Sequence, residues 1–152
     1  MDLNKIGKSS VITVPSHIQI DDAAKIMRSN HIGDLIVVEE KEGAKIPVGI
    51  ITDRDIVLAT IALGIPTENL SVGDIMSTNL ITSNKNESLL HIINLMKDNG
   101  VKRIPLIGEN KELTGIITTE DVSRLLSIEL SALSQITNSQ HNQELKRRRN
   151  LT

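Results

Sequence analysis

The chain has 152 residues, a formal net charge of −2, and no Phe, Tyr, Trp or Cys. That length suits one compact domain able to bury roughly 70% of its unfolded surface, with a core that must be aliphatic. The missing aromatics exclude the base-stacking platforms of single-strand nucleic-acid binders, and the missing cysteines exclude disulfides, thiol nucleophiles and thiolate metal sites.

In chain order, Val11 to Val14 is a β-branched run stopped by Pro15. Asp21-Asp22 suits a helix start, and Ile20, Ala23, Ala24, Met27 and His31 follow at one-face helical spacing. Leu35 to Val38 reads as a buried strand. The charged Glu39 to Pro47 segment reads as a turn, and Val48 to Ile51 as the hairpin partner. Thr52 or Asp53 then caps a helix to about Leu63, which Gly64 and Pro66 end. The order repeats. Leu80 to Thr82 is the strand; Glu87 to Asn99 is the helix, with Leu89, Ile92, Ile93 and Met96 inward and Gly100 as its stop. Ile104 to Ile107 and Leu113 to Ile117 form the second hairpin, and Thr118 or Thr119 opens the last helix. The linker Thr67 to Met76 has its counterpart in Leu3 to Gly7.

This order reflects an internal duplication. Gly49-Ile50-Ile51-Thr52-Asp53-Arg54-Asp55-Ile56 recurs as Gly115-Ile116-Ile117-Thr118-Thr119-Glu120-Asp121-Val122, 66 positions on. Upstream, Ile12, Thr13, Met27 and Asn30 recur 69 positions on as Ile81, Thr82, Met96 and Asn99, so a three-residue insertion falls between Val38 and Val48. The predicted organisation is a first unit over 1–66, a second unit with leading linker over 67–128, and a tail over 129–152, helical and then basic and partly disordered.

Each copy of the phrase places a Thr at a helix start and an Asp in its first turn. A carboxylate there accepts hydrogen bonds from vicinal ribose hydroxyls, and the Thr hydroxyl with free N–H groups donates to phosphate. Asp55 and Asp121 are the candidate ribose ligands, Thr52 and Thr118 the phosphate or ribose-edge contacts, and Gly49 and Gly115 allow close backbone approach. The same residues are also ordinary helix caps worth about 1 kcal/mol each. At the 69-residue offset Lys102-Arg103 faces Gly33-Asp34, so the halves differ in charge; Lys102 and Arg103 are candidate phosphate ligands, and Arg54, whose counterpart is Glu120, partly compensates in the first half.

The repeated β-α-β-β-α order and the GIITDRDI phrase resemble a tandem pair of CBS domains over about residues 1 to 128. The resemblance implies an α+β fold of two units packed through their sheets as a pseudo-twofold pair. It also implies clefts between the units that accept AMP, ADP, ATP or S-adenosylmethionine, and a homodimer. It carries base contact onto Thr13 and Ile32 in one half and onto Thr82, Val101, Ile104 and Pro105 in the other. The expectation is a non-catalytic regulatory module with no resident cofactor: no nucleophile has a plausible base, and His17, His31, His91 and His141 lack metal spacing. A nucleic-acid-associated protein acting through Lys146 to Arg149 is the alternative, as is the regulatory half of an enzyme. The longest apolar stretch, Ile56 to Ile65, is far short of the roughly 20 residues a spanning helix needs, and the Met1-Asp2-Leu3-Asn4 start is not a secretory signal. Both point to the cytoplasm.

Overall fold

The computed structural model describes residues 10–149, so the leading segment expected at Leu3 to Gly7 lies outside the described residues. The first half comprises β1 (Thr13–Val14), α1 (Ile20–Asn30), β2 (Asp34–Lys41), β3 (Ala44–Thr52) and α2 (Asp53–Val57), which widens into a π turn over Leu58–Ala62. The short helix α3 (Val72–Ile75) lies in the linker. The second half comprises β4 (Ser83–Asn84), α4 (Leu89–Asn99), β5 (Arg103–Ile107), β6 (Leu113–Thr118) and α5 (Thr119–Arg149). Two three-stranded sheets result, β1-β2-β3 and β4-β5-β6, each with a parallel pair followed by an antiparallel hairpin.

Period-two alternation decides what each sheet faces. Leu35, Val37 and Ile51 pack under α1, and Ile104, Leu106 and Ile117 pack under α4 and the start of α5. The intervening Ile36 and Pro105 are fully buried yet belong to neither helix-side cluster. They occupy the faces the two sheets turn toward each other, where β3 meets β6.

The insertion lengthens a hairpin rather than loosening a loop. β2 continues to Lys41 and β3 starts at Ala44, joined through Glu42 and Gly43 with φ of 51° and 78°. Two consecutive positive φ values are the signature of the type I′ turn that matches strand twist, so the charged stretch read as a turn is mostly strand. Both hairpins carry a bulge at the same place, between Val37 and Val38 and between Leu106 and Ile107.

Several expected elements move. The second leading strand lies at Ser83–Asn84 rather than Leu80 to Thr82, because pairing with β5 is available there: Ser83 stands opposite Leu106 as Val14 stands opposite Val37. Leu80 is instead held in a turn, its N–H donating to the Thr78 carbonyl at 2.9 Å. On α1, Ile20, Ala23 and Met27 are buried but Ala24 is exposed. His31 does not extend that face; it ends the helix in the left-handed region at φ 53°, as Gly100 ends α4 at φ 64°. The linker helix α3, assigned by sequence to the second unit, docks on the first. Val72 lies fully buried in the first core, and the Val72 and Gly73 N–H groups donate to the Ile18 and Ser16 carbonyls at 2.9 and 2.7 Å. The described part of the expected tail is helix throughout: α5 runs to Arg149, but its contact with the core is confined to its first two turns, at Val122 and Leu125. Beyond them Leu126, Leu130 and Leu133 are exposed.

Ser83 is the weak point of the second core. It is 6% exposed, and its hydroxyl has no hydrogen-bond partner. The duplicate position holds Val14, 2% exposed. A buried unsatisfied hydroxyl costs about 1–3 kcal/mol, so Ser83→Val is expected to raise the urea midpoint, measured by circular dichroism, by the equivalent of about 1–2 kcal/mol. An unchanged or lowered midpoint would show that the hydroxyl is satisfied in solution.

Candidate functional site

The duplicated phrase folds into two matching capping boxes. In the first half the Asp55 N–H donates to Thr52 Oγ1 at 3.1 Å, while the Thr52 N–H and hydroxyl each donate to Asp55 Oδ2 at 2.8 Å. In the second, the Asp121 N–H donates to Thr118 Oγ1 at 3.2 Å, and the Thr118 N–H and hydroxyl donate to Asp121 Oδ2 at 3.0 and 2.8 Å. The helix starts are tied to the preceding strands in the same duplicated manner, Asp53 N–H to the Gly33 carbonyl and Thr119 N–H to the Lys102 carbonyl, both at 2.9 Å. The two carboxylates differ beyond this. Asp121 is buried and its Oδ1 accepts from Arg124 at 2.9 Å, whereas Asp55 is only half-buried.

Between the halves lies a cavity of about 410 Å³, within the roughly 300–1,000 Å³ of small-molecule sites. Its first-half wall is Ser10 to Ile12, Asn30 to Asp34 and Ile36; its second-half wall is Arg103, Ile116, Thr118 and Glu120. A larger depression of about 620 Å³ is formed by first-half residues alone, among them Thr13, His17, Glu39 and Lys45. It contains no residue of the duplicated helix-start phrase. The inter-half cavity is the candidate site because it joins an apolar wall to one of the two repeated helix starts.

The wall residues revise the assignments made from sequence. Ile32 and Thr118 line the cavity, but Thr13 turns to the other depression, where its hydroxyl accepts from Lys45 Nζ at 3.3 Å. Val101 belongs to a shallow pocket between α4 and α5. Ile104 is fully buried in the second core, on the sheet face opposite Pro105. Thr82 precedes β4, half-buried. Gly49 makes room for chain rather than ligand: a Cβ there would lie 2.8 Å from both Met76 Sδ and the Ser77 carbonyl oxygen, beside the bridge in which Ile50 and Ser77 exchange hydrogen bonds of 3.0 and 2.8 Å. Gly115 is buried in β6 opposite Leu106. Ser10, Val11, His31, Ile36 and Ile116 were missed as wall residues, although the alternation that buries Leu35 already implied that Ile36 points the other way.

The largest revision concerns charge. Arg103 enters the cavity wall already paired with an acid: its Nε lies 2.8 Å from Asp34 Oδ1, with the Asp34 side chain 8% exposed and that of Arg103 33%. Asp34 and Arg103 are each other's repeat counterparts, and a contact between counterparts marks the pseudo-twofold axis. Burial pushes the Asp34 carboxyl above its ordinary range; Arg103 opposes this, while Asp53 and Glu120 add to it. With the folded pKa raised, protonation as pH falls through it favours the folded state, and that stabilisation is lost again as pH rises. Lys102 and Arg54 are exposed and make no ion pair among the described residues. No group of three or more His, Cys, Asp or Glu among the described residues could hold a metal ion, and no helix among them is long and apolar enough to cross a membrane.

A family model described as CBS domain matches this chain twice, over residues 4–61 and 72–128. The CBS domain-containing protein YhcV of Bacillus subtilis is 34% identical over 133 residues, covering 88% of this chain and 91% of YhcV. Protein MK0525 of Methanopyrus kandleri is 32% identical over 123 residues, of which this chain spans 61% of the relative's length. Among solved structures, the CBS domain pair of protein MJ0100, in complex with 5′-methylthioadenosine and S-adenosyl-L-methionine, superposes with a TM-score of 0.69 at 32% identity, covering 83% of this chain and 99% of that one.

Proposed function

The chain belongs to the CBS domain family, and from that premise we propose that it is a non-catalytic regulatory module that binds an adenosine-containing ligand in the cleft between its halves. The observation that carries this reading is the inter-half cavity itself, with apolar first-half residues opposite Thr118 at the start of α5. Thr118 is the side chain of that helix start on the cavity wall; Asp121 lies buried behind it, outside the wall and held by Thr118 and Arg124. Its proposed role as ribose ligand therefore requires the ligand to displace one of those contacts, and Asp55 is its counterpart across the pseudo-twofold. A ligand touching both halves stabilises whichever arrangement of them it fits better, so its free energy becomes a shift in conformational population. The 5′-methylthioadenosine and S-adenosylmethionine held by the MJ0100 pair support the adenosyl class. We extend the proposal to a homodimer, supported by Val57, Leu58 and Ile61, which leave an apolar strip of the first half exposed.

Because the chain lacks Trp and Tyr, binding is best followed by calorimetry. Ligand at a hundred times its Kd stabilises by about 2.7 kcal/mol, which for a chain of this size raises Tm by roughly 5–10 °C. AMP, ADP, ATP, S-adenosylmethionine and 5′-methylthioadenosine are to be compared with guanosine. At least one adenosyl compound is expected to raise Tm and guanosine to leave it unchanged; flat melting curves across millimolar concentrations of them all would remove the proposal.

A further inference from the structure

Resting on that adenosyl reading, we infer that the inter-half cleft selects its ligand by charge, accepting an adenosine whose 5′ substituent is neutral or cationic and rejecting one that carries a phosphate. Two carboxylates, Asp34 and Glu120, line the cavity with one guanidinium, Arg103. The guanidinium is already committed, its Nε lying 2.8 Å from Asp34. A phosphate could still meet the Nη groups of Arg103, but the charge that would hold it there is already balanced by a nearly buried carboxylate, and Glu120 stands beside it as a further negative charge.

The helix start offers no compensation. A phosphate at such a site is normally held by free N–H groups of the first turn. In α5, however, the Thr119 N–H donates to the Lys102 carbonyl, the Asp121 N–H to Thr118 Oγ1, and both the N–H and hydroxyl of Thr118 to Asp121 Oδ2. The N–H that remains in that turn belongs to Glu120, whose own carboxylate stands beside it. A sulfonium or a thioether at the 5′ position needs none of these donors, and a positive charge gains from Glu120, the wall carboxylate that makes no ion pair among the described residues.

The two halves are therefore asymmetric in what they recognise. Position 120 holds an acid where its counterpart, Arg54, is a base, and position 34 an acid where its counterpart, Lys102's neighbour Arg103, is a base. Charge reversal at the rim is the specificity device, and the duplicate already contains the residue that undoes it.

The test titrates the full chain with 5′-methylthioadenosine, S-adenosylmethionine and AMP, following the δ-methyl resonances of Ile36 and Ile116 so that this cleft alone is read. Wild type is expected to bind 5′-methylthioadenosine at least about tenfold more tightly than AMP, the effect of one charge contact. Glu120→Arg, an exposed position whose substitution leaves the core intact, is expected to raise AMP affinity roughly tenfold, to make it salt-sensitive, and so to raise the AMP-to-methylthioadenosine affinity ratio. Asp34→Asn, which releases Arg103, should move the ratio in the same direction. AMP binding as tightly as 5′-methylthioadenosine in wild type would overturn charge selection while leaving the adenosyl reading intact, as would an AMP-to-methylthioadenosine ratio unchanged in both variants. Binding of none of the three at millimolar concentration would overturn the adenosyl reading, and charge selection with it.

Discussion

Ile104→Ala is expected to cost the fold roughly 2–5 kcal/mol while leaving the ligand affinity of folded molecules unchanged. Ile104 is fully buried in the cluster with Ile92, Met96, Leu106, Ile117 and Val122, so removing three carbons leaves a cavity that neighbours on two strands and two helices cannot close together. The resemblance places a base contact at this position, and the strand's alternation opposes it: Ile104 occupies the helix-side face that Leu35 occupies in the first half, and Pro105 the face of Ile36, which lines the cleft. Urea unfolding followed by circular dichroism gives the stability change, and calorimetry the affinity. A variant with wild-type stability but weakened binding would reinstate Ile104 as a base contact.

Arg103→Met is expected to destabilise the chain by about 1–3 kcal/mol, less than the roughly 3–5 of breaking a fully buried pair because a third of the Arg103 side chain is in contact with water. Methionine keeps most of the length and removes the charge, leaving Asp34 nearly buried beside Asp53 and Glu120, both of which disfavour its ionised form. The Asp34→Asn and Arg103→Met double variant should recover most of the loss, since no charge is then left stranded. The single variant should also lose stability more steeply as pH rises through the Asp34 titration, because only the ionised carboxyl needs the partner. Equal stability of the single variant and wild type across that range would show that the pair contributes nothing to holding the halves together.

The capping boxes show what local chemistry makes legible. Thr52 and Asp55, like Thr118 and Asp121, are three residues apart and need only a helix to meet, so their pairing follows from spacing. The hairpins, the stop at Gly100 and the buried face of α4 are likewise consequences of neighbours in the chain; the duplication repeated the hairpin and helix-start signals, but not the stop, whose counterpart is His31. The short β4 was misplaced because a two-residue strand has little propensity of its own and forms where β5 presents its backbone.

The sequence by itself therefore determined the repeat, the order of elements in each half, the helix-start chemistry and an aliphatic core. All of these depend on contacts within about a turn or a hairpin, or on composition. Tertiary structure alone decided that α3 docks on the first half, that Thr13 faces away from the cleft, and that Gly49 accommodates the linker. It also decided that Arg103, which sequence offered as a phosphate ligand, is held by the acid at its own repeat position. The physical reason is the pseudo-twofold: packing sheet against sheet brings residues 69 positions apart within 2.8 Å of each other, and no local pattern along a chain records which counterparts the axis will join.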